Sequence, residues 1–270
     1  MMGCFIGKIV TQDTVLSDIK ALIPDATMRR RMSRILKMSV PAAMECVGGI
    51  EEAGRLDAVI TATSLGCLAD SEVFLRNMIS GGEQMLNPTP FIQSTFNTAG
   101  GQIACLGHNH CYNMTYVNRE HSFEDALLDA FMRLEDGESS NVLVGAFDER
   151  TDSQYDIMRR MGVFRRYSYE EGCVFVHLAS QRGEDSVARI RSIAFPGHAV
   201  SDEECLRDYS ESSDTVVLRV DPAVYGLCPT ASSRLFSDAV ALIRKGECSE
   251  VIVVNDIDPE SPAVVVCAGL

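Results

Sequence analysis

Asn87–Glu149 reads NPTPFIQSTFNTAGGQIACLGHNHCYNMTYVNREHSFEDALLDAFMRLEDGESSNVLVGAFDE, and its succession of helix and strand patterns decides the fold. Asn87-Pro88-Thr89-Pro90 is a stiff connector, because each proline fixes φ and removes an amide donor. Phe91–Cys105 then reads as a helix-like run with Ala99, Gly100 and Gly101 at its middle, where small residues let another backbone approach closely. Asn113–Val117 is extended. Ser122–Asp136 has apolar residues at helical spacing, with Ser122 placed to cap it and Gly137 to stop it. Asn141–Phe147 (NVLVGAF) is apolar at both parities, as in a strand covered on both faces.

The same alternation extends outward. Gly3–Val10 reads as a strand and Asp13–Leu22 as a weakly helical stretch, ended by Ile23-Pro24-Asp25. Thr27 is placed to cap a helix through Met38, and Pro41 suits the first turn of a second helix reaching Ala53. Leu56–Thr63 (LDAVITAT) is a buried strand, followed by a helix over Ser71–Met78 that Gly81-Gly82 terminates. Arg150–Arg166 is a polar excursion. Gly172–Leu178 is a strand, with Ala188–Ile193 as its expected pairing partner, and Ala199–Ser213 is an acidic surface segment. Thr215–Val220 is a strand, Ser232–Lys245 a helix ending at Gly246, and Val251–Val254 with Ala263–Ala268 a strand pair around an Asp-Pro-Glu-Ser-Pro turn. The pattern predicts one α/β domain over 1–270 with a sheet covered on both sides, without an internal repeat.

Composition narrows the function classes. Of 270 residues, 46% are hydrophobic and 23% charged, which suits a globular core. No run reaches the ~18 apolar residues of a spanning helix, and no export signal is read at the start, so the expected location is the cytoplasm. The ten cysteines lie mostly within apolar runs and no C-x-x-C occurs, so they read as free buried thiols. A net charge of −14 argues against nucleic acid and anionic membranes. The exception is Met28–Met38 (MRRRMSRILKM), where Arg29, Arg30, Arg31, Arg34 and Lys37 form either a solvated helix face or a local dock for an acidic partner.

NPTPFIQSTFNTAGGQIA and the turn–strand–elbow–helix–strand succession after it resemble β-ketoacyl synthases and chain-length factors, nearest in pattern to those of aryl-polyene clusters. LDAVITATSLG resembles the early strand and turn of that family, EEGCVFVHLAS its strand after the half-way excursion, and Tyr225–Leu270 its final helix and strands. The resemblance implies a thiolase-like layered α/β fold with a truncated second half, 1–180 matching the N-terminal half and 215–270 the final helix and strands. Aligned without gaps from Thr115 through Ala130, the family's nucleophilic cysteine falls on Glu120. The second catalytic histidine falls on Leu227, after Gly226, and the block carrying the first histidine has no counterpart.

Claisen condensation needs an activated thiolate and two histidines that promote decarboxylation and stabilise the enolate. The resemblance therefore implies a non-condensing protein, a chain-length-factor-type partner of an active ketosynthase in fatty-acid, polyene or polyketide-type biosynthesis. It implies a homo- or heterodimer through Phe96, Asn97, Tyr116, Asn118 and Arg119, an acyl carrier protein as a further partner, and no cofactor. The alternative is a reduced decarboxylase, acyltransferase or thioesterase acting on carrier-bound thioesters, with Glu120, His121 and Cys111 as its candidate pocket. Glu120 also reads as a helix-start charge, as half of a salt bridge with Arg119 or a partner chain, or as a stand-in for the glutamine that chain-length factors carry there. His108, His110, Cys111 and His121 suggest a metal site only in part, since no second half with ligand spacing follows, and no metal is expected. Ser64 lacks a G-x-S-x-G setting, and the glycines near position 100 form no nucleotide-binding loop.

Overall fold

The computed structural model describes residues 3–163, 167, 170–228 and 230–270. Residues 164–166, the end of the polar excursion, lie outside this set. In chain order the elements are β1 (Cys4–Thr11), α1 (Ile19–Leu22), α2 (Ala26–Arg31), α3 (Arg34–Val47), α4 (Ile50–Ala53), β2 (Ala58–Ala62), α5 (Leu68–Ser80), α6 (Pro88–Gln93), α7 (Thr98–Gly107) and β3 (Tyr112–Tyr116). A single 3₁₀ turn (Arg119–His121) leads into α8 (Ser122–Glu135), β4 (Asn141–Asp148), α9 (Asp152–Arg160), β5 (Gly172–Ala179), β6 (Ala188–Ala194) and α10 (Asp202–Tyr209). Then follow β7 (Thr215–Arg219), α11 (Pro222–Tyr225), α12 (Ala231–Lys245), β8 (Glu250–Asn255) and β9 (Ala263–Gly269).

Among the described residues the strands form one nine-stranded sheet in the order β3-β2-β4-β5-β1-β6-β9-β8-β7. Its two ends follow one plan. β4 lies between parallel β2 and antiparallel β5, and β8 lies between parallel β7 and antiparallel β9. A buried helix, α8 or α12, leads into each of those central strands. The first half adds β3 beyond β2, whereas the second half stops at β7.

Strand parity builds the layers. Ile60, Val144, Val176, Val253 and Val265 face α8 and α12, with Phe123 of α8 packed edge-on against Phe236 of α12 at 5.6 Å. The opposite parity, Val59, Leu143, Phe147 and Phe175, faces α3 and α7. At the far end Ile252, Val254, Val264 and Val266 lie with Cys205 of α10. A sheet apolar at both parities is what helices on both faces require.

Several local expectations are corrected. Gly172–Leu178 does not pair with Ala188–Ile193: β1 inserts between them and pairs antiparallel with both. Alternation marks a strand but not its neighbour. Asp25, not Thr27, caps α2, accepting from the amides of Thr27 (2.7 Å) and Met28 (3.1 Å). The arginine-rich run is broken at Met32-Ser33, so it divides between α2 and α3. Pro41 sits inside α3 rather than at a helix start, and the buried face made by Ile35, Leu36, Val40 and Met44 holds the helix through it. Gly100 is needed for close approach, since a Cβ there would lie 2.9 Å from Asn113 Oδ1, but Gly101 faces open space.

Candidate functional site

β3 ends at Tyr116 and the chain turns sharply into α8. Arg119 makes the turn with φ 51°, left-handed backbone that a long side chain seldom adopts. Ser122 does not cap α8. Its hydroxyl instead accepts from the Asn118 amide at 2.8 Å and lies 3.1 Å from the Thr63 carbonyl, tying the turn to the end of β2. Asn255, at the end of β8, donates its amide to the Glu120 carbonyl (2.8 Å) and to Glu124 Oε1 (3.1 Å). The second half of the chain thereby fixes the turn of the first.

Glu120 is half-buried in this turn. His121 beside it is buried, with neither ring nitrogen hydrogen-bonded among the described residues, and its ring meets Phe195 edge-on at 6.4 Å. Glu124, one turn into α8, is buried, and Oε2 has no partner there. Burial pushes its carboxyl up from 4.5 to about 7. A carboxyl raised on folding favours the protonated folded state, so its burden on stability is absent near the ordinary value and complete above about pH 7. Glu124→Gln is therefore expected to stabilise the chain by roughly 1–3 kcal/mol near pH 8, with the gain shrinking toward pH 5. Urea unfolding at both pH values checks this, and a variant less stable than wild type near pH 8 contradicts it.

The other candidates fall in different places. Cys111 precedes β3, exposed, with its amide on Asn109 Oδ1 at 2.8 Å. The five-residue strand β3 separates it from the turn; at about 3.3 Å per residue the gap is roughly 17 Å. The pocket expected from Glu120, His121 and Cys111 is thus not assembled: their closeness in sequence is undone by an extended strand. His108 and His110 are exposed near Cys111. No three His, Cys, Asp or Glu side chains among the described residues converge as a metal site. Leu227 is half-buried in the segment before α12.

Of the expected contact residues, Asn118 and Arg119 are exposed at the turn and Tyr116 is half-buried at the end of β3, the edge strand whose outer side is unpaired among the described residues. Phe96 and Asn97 lie at the start of α7, Phe96 packed on Gly66 and still half exposed. Met114 on β3 and Val117 just after it are also exposed.

Sequence reading missed a further feature. α5 and α9 enclose an apolar groove of about 420 Å³ lined by Leu65, Leu68, Leu75, Ile79, Ile157 and Met158. Ile79 is 77% and Ile157 57% exposed, so the groove opens to solvent. The available signal was in α5 itself, LADSEVFLRNMIS, whose apolar residues exceed one helical stripe. In the basic cluster, Arg34 pairs with Glu149 and Glu171 and Arg29 donates to the Pro24 carbonyl, whereas Arg30, Arg31 and Lys37 are exposed. No helix among the described residues is long and apolar enough to cross a membrane.

Sheet, buried helix pair and sharp turn together define a thiolase-like protein. The sequence model described as the N-terminal domain of β-ketoacyl synthase matches residues 10–186, and the chain belongs to that family. A search of curated proteins gave no significant match. Among solved structures, the ishigamide ketosynthase/chain length factor superposes with TM-score 0.72 at 16% identity, covering 99% of both chains. A ketosynthase in complex with its chain length factor from Xenorhabdus doucetiae gives 0.63 at 14% identity, covering 99% of this chain and 100% of that one. A type II polyketide-synthase acyl-carrier protein complex with its ketosynthase gives 0.78 at 10% identity, covering 100% of both. These likenesses establish the fold.

Proposed function

We propose that this chain is a non-condensing member of the family, a chain-length-factor-type partner of an active ketosynthase in fatty-acid, polyene or polyketide-type biosynthesis in the cytoplasm. One observation carries the reading: Glu120 stands in the turn entering α8, where the family resemblance puts the nucleophilic cysteine. A carboxylate there forms no stable thioester, and Leu227, aligned with a catalytic histidine, has no side-chain hydrogen-bond donor.

The edge of β3, unpaired among the described residues, and the exposed Met114 on it support a protein partner there, since an exposed apolar side chain on an unpaired strand invites coverage. The solved relatives include a ketosynthase with its chain length factor and a ketosynthase with an acyl-carrier protein. A carrier protein with an acidic surface would find Arg30, Arg31 and Lys37 as a local dock on an otherwise acidic chain.

The test is co-expression with an active ketosynthase from the same organism. The pair is expected to co-elute as one complex. Met114→Arg, on the exposed edge, is expected to weaken that complex by about tenfold or more, with the melting temperature of the isolated chain nearly unchanged. Separate elution of the two wild-type proteins would overturn the reading.

A further inference from the structure

Arg119, in the turn from β3 into α8, holds a left-handed backbone (φ 51°) that glycine adopts freely and that strains a residue with a Cβ. Three parts of the chain keep it there. The Asn118 amide donates to Ser122 Oγ at 2.8 Å, and that hydroxyl lies 2.8 Å from the Arg119 carbonyl and 3.1 Å from the Thr63 carbonyl just past β2. The His121 amide donates to the Asn118 carbonyl at 3.0 Å, and Asn255 of β8 donates to the Glu120 carbonyl at 2.8 Å. A strained backbone persists only where its surroundings over-determine it. None of these bonds uses the Arg119 side chain. Its guanidinium is exposed and has no hydrogen-bond or ion-pair partner among the described residues.

The chain leading to Arg119 is free of charge. Gln84 to Asn118 contains no Asp, Glu, Lys or Arg, in a protein that is 23% charged. β3 closes this stretch as the edge strand, with Met114 on it and Val117 just after it exposed. Solvent-facing edges are commonly blunted by charged side chains, whereas the cores of protein interfaces are depleted of charge and enriched in methionine, aromatic residues and arginine. β3 (YNMTY) follows the second pattern, and a chain laid along it would meet Arg119 at its end. The carboxylates of the same turn leave Arg119 unpaired: Asp125 accepts from Asn118 Nδ2 at 2.8 Å, and Glu120 makes no ion pair with it among the described residues.

We propose that Arg119 is the charge-selective anchor of the β3 edge, and that its counterpart is a carboxylate on the ketosynthase partner. The inference rests on the partner role proposed above and adds the contact that selects the partner. A guanidinium covered without a counter-charge loses its hydration and gains nothing, whereas one met by a carboxylate forms two parallel N–H···O bonds. The same side chain therefore holds the right chain and rejects a wrong one. A second copy of this protein is a wrong one. Two β3 strands paired antiparallel about Met114, the middle residue of the strand, would set Arg119 of each copy beside the His108–Cys111 segment of the other, which contains no carboxylate. The anchor favours a heterologous pair.

Affinity for an active ketosynthase from the same organism, measured beside the melting temperature of each variant alone, tests it. Arg119→Gly is expected to weaken the complex about tenfold or more, yet to melt about 2 °C or more above wild type, because glycine relieves the turn. Arg119→Ala is expected to weaken the complex equally without that rise. Arg119→Lys, which keeps the charge and loses the paired bonds, is expected to fall between wild type and alanine in affinity. Raising NaCl from about 50 to about 500 mM is expected to weaken the wild-type complex more than the Arg119→Gly complex. A glycine variant that binds as tightly as wild type would overturn the anchor and leave the partner role standing, whereas wild-type proteins that do not bind would end both. Equal melting of wild type, glycine and alanine variants, or a homodimer of the isolated chain that Met114→Arg dissolves, would overturn the proposal as well.

Discussion

Phe236→Ala is expected to destabilise the chain by roughly 3–5 kcal/mol, the range for removing a buried aromatic ring. Phe236 is fully buried on α12 and meets Phe123 of α8 edge-on, 5.6 Å between centroids and 71° between planes. These rings join the helix of the first half to that of the second. Truncation loses the apolar burial, the aromatic contact and the packing of every neighbour that cannot collapse into the gap. Urea unfolding measures the loss, with Ile79→Ala, at a solvent-exposed position, as a control expected near zero. A loss below about 1 kcal/mol would mean that the two helices do not form the seam described above.

Gly145→Ala is expected to cost about 3 kcal/mol, at the upper end of what overpacking commonly does. Gly145 lies on β4 directly opposite Phe175 of β5, and an added Cβ would stand 2.1 Å from the Phe175 ring. No contact that short survives, so the ring or the strand must move, and both lie in the core between sheet and α3. The cause is a specific clash, so Gly145→Ala with Phe175→Leu is expected to be more stable than Gly145→Ala alone. Thermal unfolding of the two variants compares them, and a double variant less stable than the single one would contradict the clash.

The core strands were legible because LDAVITAT, NVLVGAF, GCVFVHL and the final pair are apolar at both parities, which few structures other than a covered sheet require. α8 was legible from its spacing. The two-fold plan of the halves was not, because it lies in strand order rather than in residue identity. The insertion of β1 between β5 and β6 was hidden for the same reason. Pro41 misled because the local cost of proline was weighed without the burial of the face that carries it. At the elbow, Glu120 and His121 could be placed by adjacency, but Cys111 was read as close when five residues of extended strand intervene. Asn255 and Asp148 gave no signal at all: Asn255 acts on a carbonyl 135 positions away and Asp148 on an amide 84 positions away. Such hydrogen bonds exist only once the sheet has formed.

An acylable nucleophile at the elbow would undo the proposed non-condensing role. The most direct measurement is the intact mass of this chain and of its co-expressed ketosynthase after incubation with an acyl thioester. The ketosynthase is expected to gain one acyl group while this chain stays at its unmodified mass. A stoichiometric acyl adduct on this chain that maps to the Asn118–His121 turn would contradict the non-condensing reading.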